Sequence, residues 1–237
     1  MPPKDDLFSL IKESFSGLKL KEESVVVITS KIIAIGQKRC IKIGGEYTKP
    51  ALIKKEADFY IDKNKVSGKI STLTIKDNIL ISSSGIDESN GNGYYILWPK
   101  KPFLEAKKIH QFIKKEYNVK KVGIIISDSH SLPLRTGITG IGIAYHGFYP
   151  LRDYRGTKDI FGKEMKFSQT NLVDSLATAA VYLMGEGNEQ TPIVIIEGAG
   201  DLTFTDENFS KKDILKSDID HDKFSLLLNS HIWKKGG

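Results

Sequence analysis

Three short runs of β-branched residues constrain the fold of this chain more than any other feature of its sequence. The runs are SVVVIT (24–29), which continues into SKIIAIG, VGIIISDS (122–129) and PIVIIEG (192–198). Because Val and Ile follow one another almost without interruption, each run predicts a buried strand. The first strand is predicted to pass directly into a turn or a helix.

Apolar residues at helical spacing lie between and around these strands. The predicted helices are 5–16, 51–61, 103–117, 171–185 and 221–235. Residues 69–83 predict a pair of strands, residues 83–99 predict a glycine-rich loop and a short strand, and residues 130–170 contain few long apolar runs. Strands mixed with helices predict an α/β or mixed α+β fold. Residues 1–237 are predicted to form a single domain, with two closely packed lobes as an alternative.

Composition excludes several classes of protein. Cys40 is the only cysteine, so an intrachain disulfide is impossible and a cytoplasmic, reducing location is expected. No apolar run reaches the ~18 residues of a membrane span, and the charged start has no signal-peptide apolar region, so no membrane association is expected. The formal net charge of +6 favours anionic partners. Nucleic-acid binding is not expected, because the basic residues form no long stripe with aromatic residues between them.

Three acidic loops each follow or flank a hydrophobic element. They are GIDESN (85–90), Asp128-Ser129 after VGIIIS, and MGEGNEQT (184–191), which carries Glu186. Carboxylates at the ends of strands and helices can converge in one cleft. Mg²⁺ and Mn²⁺ prefer such oxygen ligands, completed by phosphate oxygens and water. The loops therefore suggest a site for a divalent metal and a phosphate.

Each loop also has a simpler explanation. An Asp after a strand is most often a turn former or a helix cap, and Glu186 between two glycines is compatible with an exposed loop charge. The glycine-rich loop could hold a phosphate through its backbone N–H groups or only reverse the chain. The chain has no GxxxxGK[ST] motif, and GNG at 91–93 lacks the remainder of a dinucleotide fingerprint. Pattern alone leaves these alternatives open.

Taken together and in order, these segments resemble the coenzyme F420-0:γ-glutamyl ligase family. The resemblance rests on SVVVITSK (24–31), GIDESN (85–90), GIIISDS (123–129), PLRDYRGTKDIFGKEM (150–165) and LATAAVYLMGEG (176–187). It extends over nearly the whole chain and is densest from 81 to 200. RDYRG followed by KDIFG is its most specific part.

The resemblance implies a ligase with a distinctive α/β fold, with mixed sheets and flanking helices, that works as an intertwined homodimer. It implies that GTP and a divalent metal are used to add L-glutamate, through a γ-linked amide, to a carboxylate of a cofactor by way of an acyl phosphate. The expected acceptors are folate or tetrahydrofolate and coenzyme F420-0. Folate is placed slightly ahead, because MGEGNEQTP and the 130–135 loop are more similar to the folate branch of the family.

The resemblance also implies the site residues. Asp87 and Asp128 would hold one Mg²⁺ or Mn²⁺ ion and Ser129 and Glu186 a second, and K⁺ is a further candidate ion. Asp87 and Asp128, with Arg135, are also expected to take part in catalysis. The residues expected to contact GTP are Ser30, Lys31, Asn90, Met184, Gly185, Glu186, Gly187, Asn188, Glu189, Gln190 and Thr191.

Three arginines are candidates for gripping phosphate or the carboxylates of glutamate, because a guanidinium group fits both. They are Arg135, Arg152 and Arg155. The alternative for each is a surface salt bridge or one that braces a loop.

The chain departs from the family pattern at several places. The usual Lys-x-Glu-Gly-Arg after the first strand reads IGQKR (35–39), and Ser131-Leu132 replaces the usual Gly-Arg. Members of the family usually have a strand and a nucleotide-contacting loop before the first helix. Because this sequence begins at MPPKDDL, that piece is expected to be missing or the start to be mis-assigned. These departures concern the acceptor and part of the nucleotide site, and they leave the four expected metal ligands unchanged. The alternative function is a non-catalytic nucleotide- or RNA-binding protein on the same fold.

Overall fold

The computed structural model describes residues 1–65, 71–209, 213–229 and 232–237. Its centre is a four-stranded sheet in the order β11-β1-β7-β8. The strands are β1 (Ser24–Thr29), β7 (Val122–His130), β8 (Thr139–His146) and β11 (Ile193–Ile196). β1 and β7 run parallel, whereas β11 and β8 are antiparallel to their neighbours. The three strands predicted from β-branched runs are confirmed, and they lie side by side.

Helices cover both faces of the central sheet. They are α1 (Leu7–Ser14), α2 (Ser30–Gly36), α4 (Pro102–Tyr117) and α5 (Leu172–Met184). Because alternate residues of a strand face opposite sides, Val26 and Ile28 of β1 pack in the core that contains α1 and α4. Val25 and Val27 pack in the core that contains α5. Burial on both faces explains why the strand is continuous in β-branched residues.

Smaller sheets surround this centre. β3 (Phe59–Ile61), β4 (Leu73–Lys76), β5 (Ile79–Ser82) and β12 (Lys234–Lys235) form a second four-stranded sheet. β2 (Cys40–Lys42) pairs with β6 (Tyr94–Ile96), and β9 (Leu151–Asp153) pairs with β10 (Gln169–Asn171). Further helices are α3 (Lys49–Glu56) and α6 (Ser225–Leu228). The predicted mixed α+β class is confirmed. None of the helices in the described ranges is long and apolar enough to cross a membrane.

Some predicted elements differ from those observed. β8 lies in the region 130–170, where glycines interrupt the apolar residues and conceal the strand pattern. The helix predicted at 51–61 ends at Glu56, and β3 follows it. The terminal helix predicted at 221–235 is wrong, because the described residues of that range form the short helix α6 and the strand β12, and Leu226 of α6 is 93% exposed. Residues 69–70 of the predicted strand pair and 230–231 of the predicted terminal helix lie outside the described residues.

Candidate functional site

A cleft of about 810 Å³ lies at the C-terminal ends of β1 and α5, where α2 begins. β1 and β7 are parallel, and Thr29 is paired with Ser127. The residues that follow this pair, Ser30 and Asp128, are therefore neighbours. Ser30 Oγ donates a hydrogen bond of 3.0 Å to Asp128 Oδ2. The parallel strand pair thus places the start of α2 beside Asp128.

The cleft brings together every residue that the sequence predicts to contact a metal ion or GTP. These residues are Asp87, Asp128, Ser129, Glu186, Ser30, Lys31, Asn90, Met184, Gly185, Gly187, Asn188, Glu189, Gln190 and Thr191. Residues scattered over more than 160 positions of the chain therefore share one cavity.

The arginines lie elsewhere. Arg135, predicted to be catalytic, does not line the cleft and lies in the exposed segment 131–138. Arg155 Nη2 lies 2.5 Å from Asp153 Oδ2, and Arg152 Nη2 lies 3.5 Å from Asp201 Oδ2. The salt-bridge alternative therefore describes Arg152 and Arg155 in this chain.

Asp128 is the most electrostatically perturbed acidic residue of the cleft. Burial raises the pKa of its carboxyl group to about 7, although hydrogen bonds from Ser129 and Ser30 oppose the rise. The Ser129 backbone N–H donates to Oδ1 over 2.7 Å. A carboxylate in so poorly solvated a position is favoured when a cation lies beside it.

Asp87 is held by α2. Lys31 Nζ lies 2.5 Å from Asp87 Oδ2, and Ser89 donates to Asp87 Oδ1 from its backbone N–H (2.9 Å) and its hydroxyl (2.7 Å). Burial alone would raise the pKa of Asp87, but the Lys31 ammonium and the Ser89 donors together lower it. The backbone of Asp87 exchanges two hydrogen bonds of 2.9 Å with Ile96 of β6, which fixes the loop to that strand.

The loop after α5 closes the other side of the cleft. Ser129 Oγ donates to Glu186 Oε1 over 2.6 Å, which joins this loop to the end of β7. Asn90 Nδ2 donates to the Gly187 carbonyl oxygen over 2.7 Å, which joins the loop to the 85–90 segment. Gly185 has a φ of +73°, and a Cβ there would lie 2.2 Å from the Glu189 carboxyl carbon. The Glu189 side chain could move away from such a Cβ, but the backbone of Gly185 (φ 73°, ψ 176°) lies in a region that is essentially restricted to glycine.

The fit of a divalent metal can be tested on these contacts. Within the described part of the chain, no three His, Cys, Asp or Glu side chains are gathered in a metal-binding group. The expected ligands instead interact with other side chains. Asp87 forms an ion pair with Lys31, Asp128 accepts a hydrogen bond from Ser30, and Ser129 donates one to Glu186. All their donor atoms are oxygens, and Mg²⁺ usually takes only one or two protein carboxylates beside phosphate oxygens and water. The residues therefore fit such an ion bound together with a phosphate-bearing ligand.

The sequence gives no signal for some residues that line the cleft. Asp5 and Leu7 reach it from the start of the chain. Gly85 also lines it, with a φ of +65°, and a Cβ there would lie 2.3 Å from the Trp98 ring. The single glycine of GIDESN could have been recognised as a position of positive φ, but its contact with Trp98 is long-range and is invisible in the local pattern.

Comparison with known proteins gives a consistent result. The F420-0:Gamma-glutamyl ligase family matches residues 1–198. A coenzyme F420:L-glutamate ligase from Methanocaldococcus jannaschii is 37% identical over 180 residues, which cover 76% of this chain and 71% of that protein. Proteins of the same name from Methanococcus maripaludis (strain C7) and Methanopyrus kandleri are each 30% identical, over 205 and 213 residues. These alignments cover 80% and 83% of this chain and 81% and 82% of the two relatives.

Proposed function

Since the chain belongs to the F420-0:γ-glutamyl ligase family, we propose that it adds L-glutamate, through a γ-linked amide, to a carboxylate of coenzyme F420-0. The chain is an amide-forming ligase. The observation that carries the proposal is the meeting of Asp87, Asp128, Ser129 and Glu186 in one cleft. Family membership favours catalysis over a non-catalytic nucleotide- or RNA-binding role.

The identity of the molecule that accepts glutamate is the more specific part of the proposal. The sequence places folate slightly ahead, but the relatives are named for coenzyme F420, so F420-0 becomes the first acceptor to test and tetrahydrofolate the second. Both end in a carboxylate, and a carboxylate must be activated before an amine can attack it. Transfer of the γ-phosphoryl group of GTP to that carboxylate would give an acyl phosphate, and the amino group of glutamate would then displace phosphate.

The nucleotide is proposed to lie between α2 and the loop after α5. A cleft of about 810 Å³ is within the usual range for small-molecule sites. Lys31 is the cationic side chain of this wall, and Asn90 bridges to the loop through the Gly187 carbonyl oxygen. These residues would orient the triphosphate for in-line transfer, which is the main task of a protein in phosphoryl transfer.

Divalent metal ions are proposed to be held by the oxygen ligands of the cleft. Asp87 and Asp128 would hold one Mg²⁺ or Mn²⁺ ion, and Ser129 and Glu186 a second; K⁺ is a further candidate. When bound, such ions neutralise phosphate charge that develops during transfer. The chain's own contribution is to keep Asp128 poorly solvated and aligned by Ser30 and Ser129, so that its carboxylate interacts strongly with a cation.

The reaction can be tested directly. The protein is incubated with GTP, L-glutamate, Mg²⁺ or Mn²⁺ and either F420-0 or tetrahydrofolate, and products are examined by mass spectrometry for the addition of one glutamate residue. Asp128→Asn should abolish this product and leave the far-UV circular dichroism spectrum unchanged. Asp206→Asn, which removes the same charge from an exposed carboxylate outside the cleft, is the matched control and should retain activity.

Two results would contradict this assignment. Near-full GTP-dependent activity of Asp128→Asn would show that the metal ligands are misassigned. Release of GDP without glutamate addition to either acceptor would show that the acceptor is of another class.

The homodimer is also proposed. Ile160, Phe161 and Phe167 lie in the segment that joins β9 to β10, and they are 91%, 88% and 88% exposed. Large apolar side chains grouped in this way favour an interface with another protein surface, and a second copy of this chain is the proposed partner.

A further inference from the structure

A second cleft, of about 570 Å³, shares only Leu97 with the first. Its floor is apolar and consists of the buried residues Leu52, Leu97, Trp98 and Pro99. Its rim is basic and consists of Arg39, Lys55, Lys76, Lys100 and Lys101. An apolar floor with a few charged groups at the edge is the usual plan of a small-molecule site.

The two carboxylates that line this second cleft are already paired. Glu56 Oε2 accepts a hydrogen bond of 2.6 Å from Arg39 Nη2. Asp77 Oδ2 accepts one of 2.8 Å from Trp98 Nε1. Arg39 neutralises Glu56, whereas Asp77 keeps its negative charge because its partner is neutral. The five basic residues of the rim therefore outnumber the two carboxylates of the cleft.

Three lysines of the rim lack a carboxylate partner in the described residues. Lys55 Nζ lies 4.7 Å from the centroid of the Tyr47 ring, which is a cation–π contact and leaves its charge uncompensated. Lys100 and Lys101 have no carboxylate within 4 Å of their ammonium groups among these residues. The second cleft thus carries a local positive charge above an apolar surface.

The backbone that carries two of these lysines is held by a specific contact. The Gln37 side chain accepts from Lys100 N–H over 2.7 Å and donates to the Lys100 carbonyl oxygen over 2.9 Å. Lys101 follows in a left-handed conformation with a φ of +48°, which a non-glycine residue rarely adopts. Gln37 belongs to the IGQKR segment where the chain departs from the family pattern. Its side chain fixes the position from which Lys100 and Lys101 reach the rim.

We propose that this second cleft binds a small molecule that carries two or more carboxylate or phosphate groups on an apolar or ring-shaped body. The anionic groups contact Lys55, Lys100 and Lys101, and the body lies on Leu97 and Trp98. Lysine ammonium groups serve as point charges for either kind of anion. The proposal does not depend on the ligase reaction, because it concerns binding at residues outside the first cleft.

The experiment is isothermal titration calorimetry on the full chain with two probes. Benzene-1,3,5-tricarboxylate represents a ring with carboxylates, and pyrophosphate represents a phosphate. The double variant Lys55→Gln/Lys101→Gly removes two charges, and glycine suits the left-handed conformation at position 101, so the variant should fold. Lys115→Gln, on the exposed face of α4 and outside both clefts, is the control for the loss of a lysine charge away from the second cleft.

A second variant tests the positioning contact without changing any charge. Gln37→Ala removes both hydrogen bonds to the Lys100 backbone and keeps all three lysines. We expect one probe to bind with a one-to-one stoichiometry, a Kd about tenfold higher in the double variant, a several-fold higher Kd in Gln37→Ala, and an unchanged Kd in Lys115→Gln.

The outcomes distinguish the ligand classes. Tighter binding of the tricarboxylate identifies a carboxylate ligand, and tighter binding of pyrophosphate identifies a phosphate ligand. The proposal is overturned when neither probe binds the wild-type chain more tightly than about 1 mM, or when Lys115→Gln weakens binding as much as the double variant does. It is also overturned when the more tightly bound of the two probes is unaffected by both cleft variants, since that probe would then lie outside the second cleft.

Discussion

Gly140 of β8 packs directly against the backbone of α5. A Cβ at this position would lie 2.5 Å from the Ala177 carbonyl oxygen and 2.8 Å from the Thr178 Cα. Thr178 Oγ1 also donates to the Gly140 carbonyl oxygen over 2.9 Å. Gly140 is paired with Ser129 in the sheet, so this contact lies directly beside the candidate site.

Gly140→Ala is therefore expected to push α5 away from the sheet. Cβ atoms essentially never come within 3.0 Å of another heavy atom, so the gap from 2.5 Å requires a movement of at least about 0.5 Å. Forcing an extra carbon into a packed contact costs about 1–3 kcal/mol. For a chain of this length the midpoint of thermal unfolding then falls by about 2–12 °C.

The assay is thermal unfolding followed by circular dichroism, with ligase activity measured well below the midpoint. Because α5 leads into the loop that carries Glu186, activity should fall even where Gly140→Ala is folded. Gly142→Ala is the control, because its Cβ would lie 2.2 Å from Val173 Cγ1, an atom of a side chain and not of the backbone. Val173→Ala should relieve that clash, so the double variant should be more stable than the sum of the single effects predicts.

The two clashes should respond differently to a rescuing substitution. Ala177→Gly should not rescue Gly140→Ala, because the obstructing atoms belong to the backbone of α5. A Gly140→Ala variant whose midpoint stays within about 1 °C of the wild type would refute the claim that this contact limits the distance between α5 and the sheet.

Other predictions concern pH, capping and assembly. Burial, followed by the charge of His146, lowers the pKa of His110 to about 4. Because the pKa in the folded state lies below that in the unfolded state, the free energy of unfolding should decrease as the pH falls from about 6.5 to about 4. His110→Gln should reduce this pH dependence, measured by urea titrations. Asp6 accepts from two backbone N–H groups at the start of α1, so Asp6→Ala should lower stability by about 1 kcal/mol, measured as the urea midpoint. Phe161→Asp should convert the proposed homodimer to a monomer in light-scattering chromatography, whereas a wild-type chain that is already monomeric would remove the dimer proposal.

Much of the site could be predicted from the sequence because it depends on one sheet. β1 and β7 are visible as β-branched runs, and each is followed at once by polar residues. Once the two strands are parallel and adjacent, and their register places Thr29 beside Ser127, Ser30 and Asp128 are neighbours. The acidic pattern marked the 85–90 and 184–191 loops as candidates but left their role open. The roles of their residues came from the family resemblance, because nothing in their local pattern specifies that Asn90 reaches Gly187.

The parts that could not be predicted depend on long-range contacts. The glycines of β8 resemble loop residues until α5 is packed against them, and then Gly140 and Gly142 are the residues that permit the approach. The apparent helical pattern at 221–235 fails for the opposite reason. Spacing supplies an apolar face, but helix stability in proteins comes chiefly from packing that face, and Leu226 and Leu227 remain exposed.

The parallel pairing of β1 with β7 also explains how charge is distributed in the site. Because α2 starts directly after β1, its second residue, Lys31, reaches Asp87, and its first residue, Ser30, reaches Asp128. Asp87 thereby pairs with the ammonium group of Lys31, whereas Asp128 accepts hydrogen bonds from neutral donors. Burial raises the pKa of Asp128, whereas the Lys31 ammonium and the Ser89 donors lower the pKa of Asp87 against the effect of its own burial. A cation that enters the cleft therefore gains most from Asp128, so Asp128→Asn should weaken Mn²⁺ binding, whereas Lys31→Met, which removes the cation that competes for Asp87, should not weaken it. Equal losses in a Mn²⁺ titration would show that Lys31 does not divide the two carboxylates in this way.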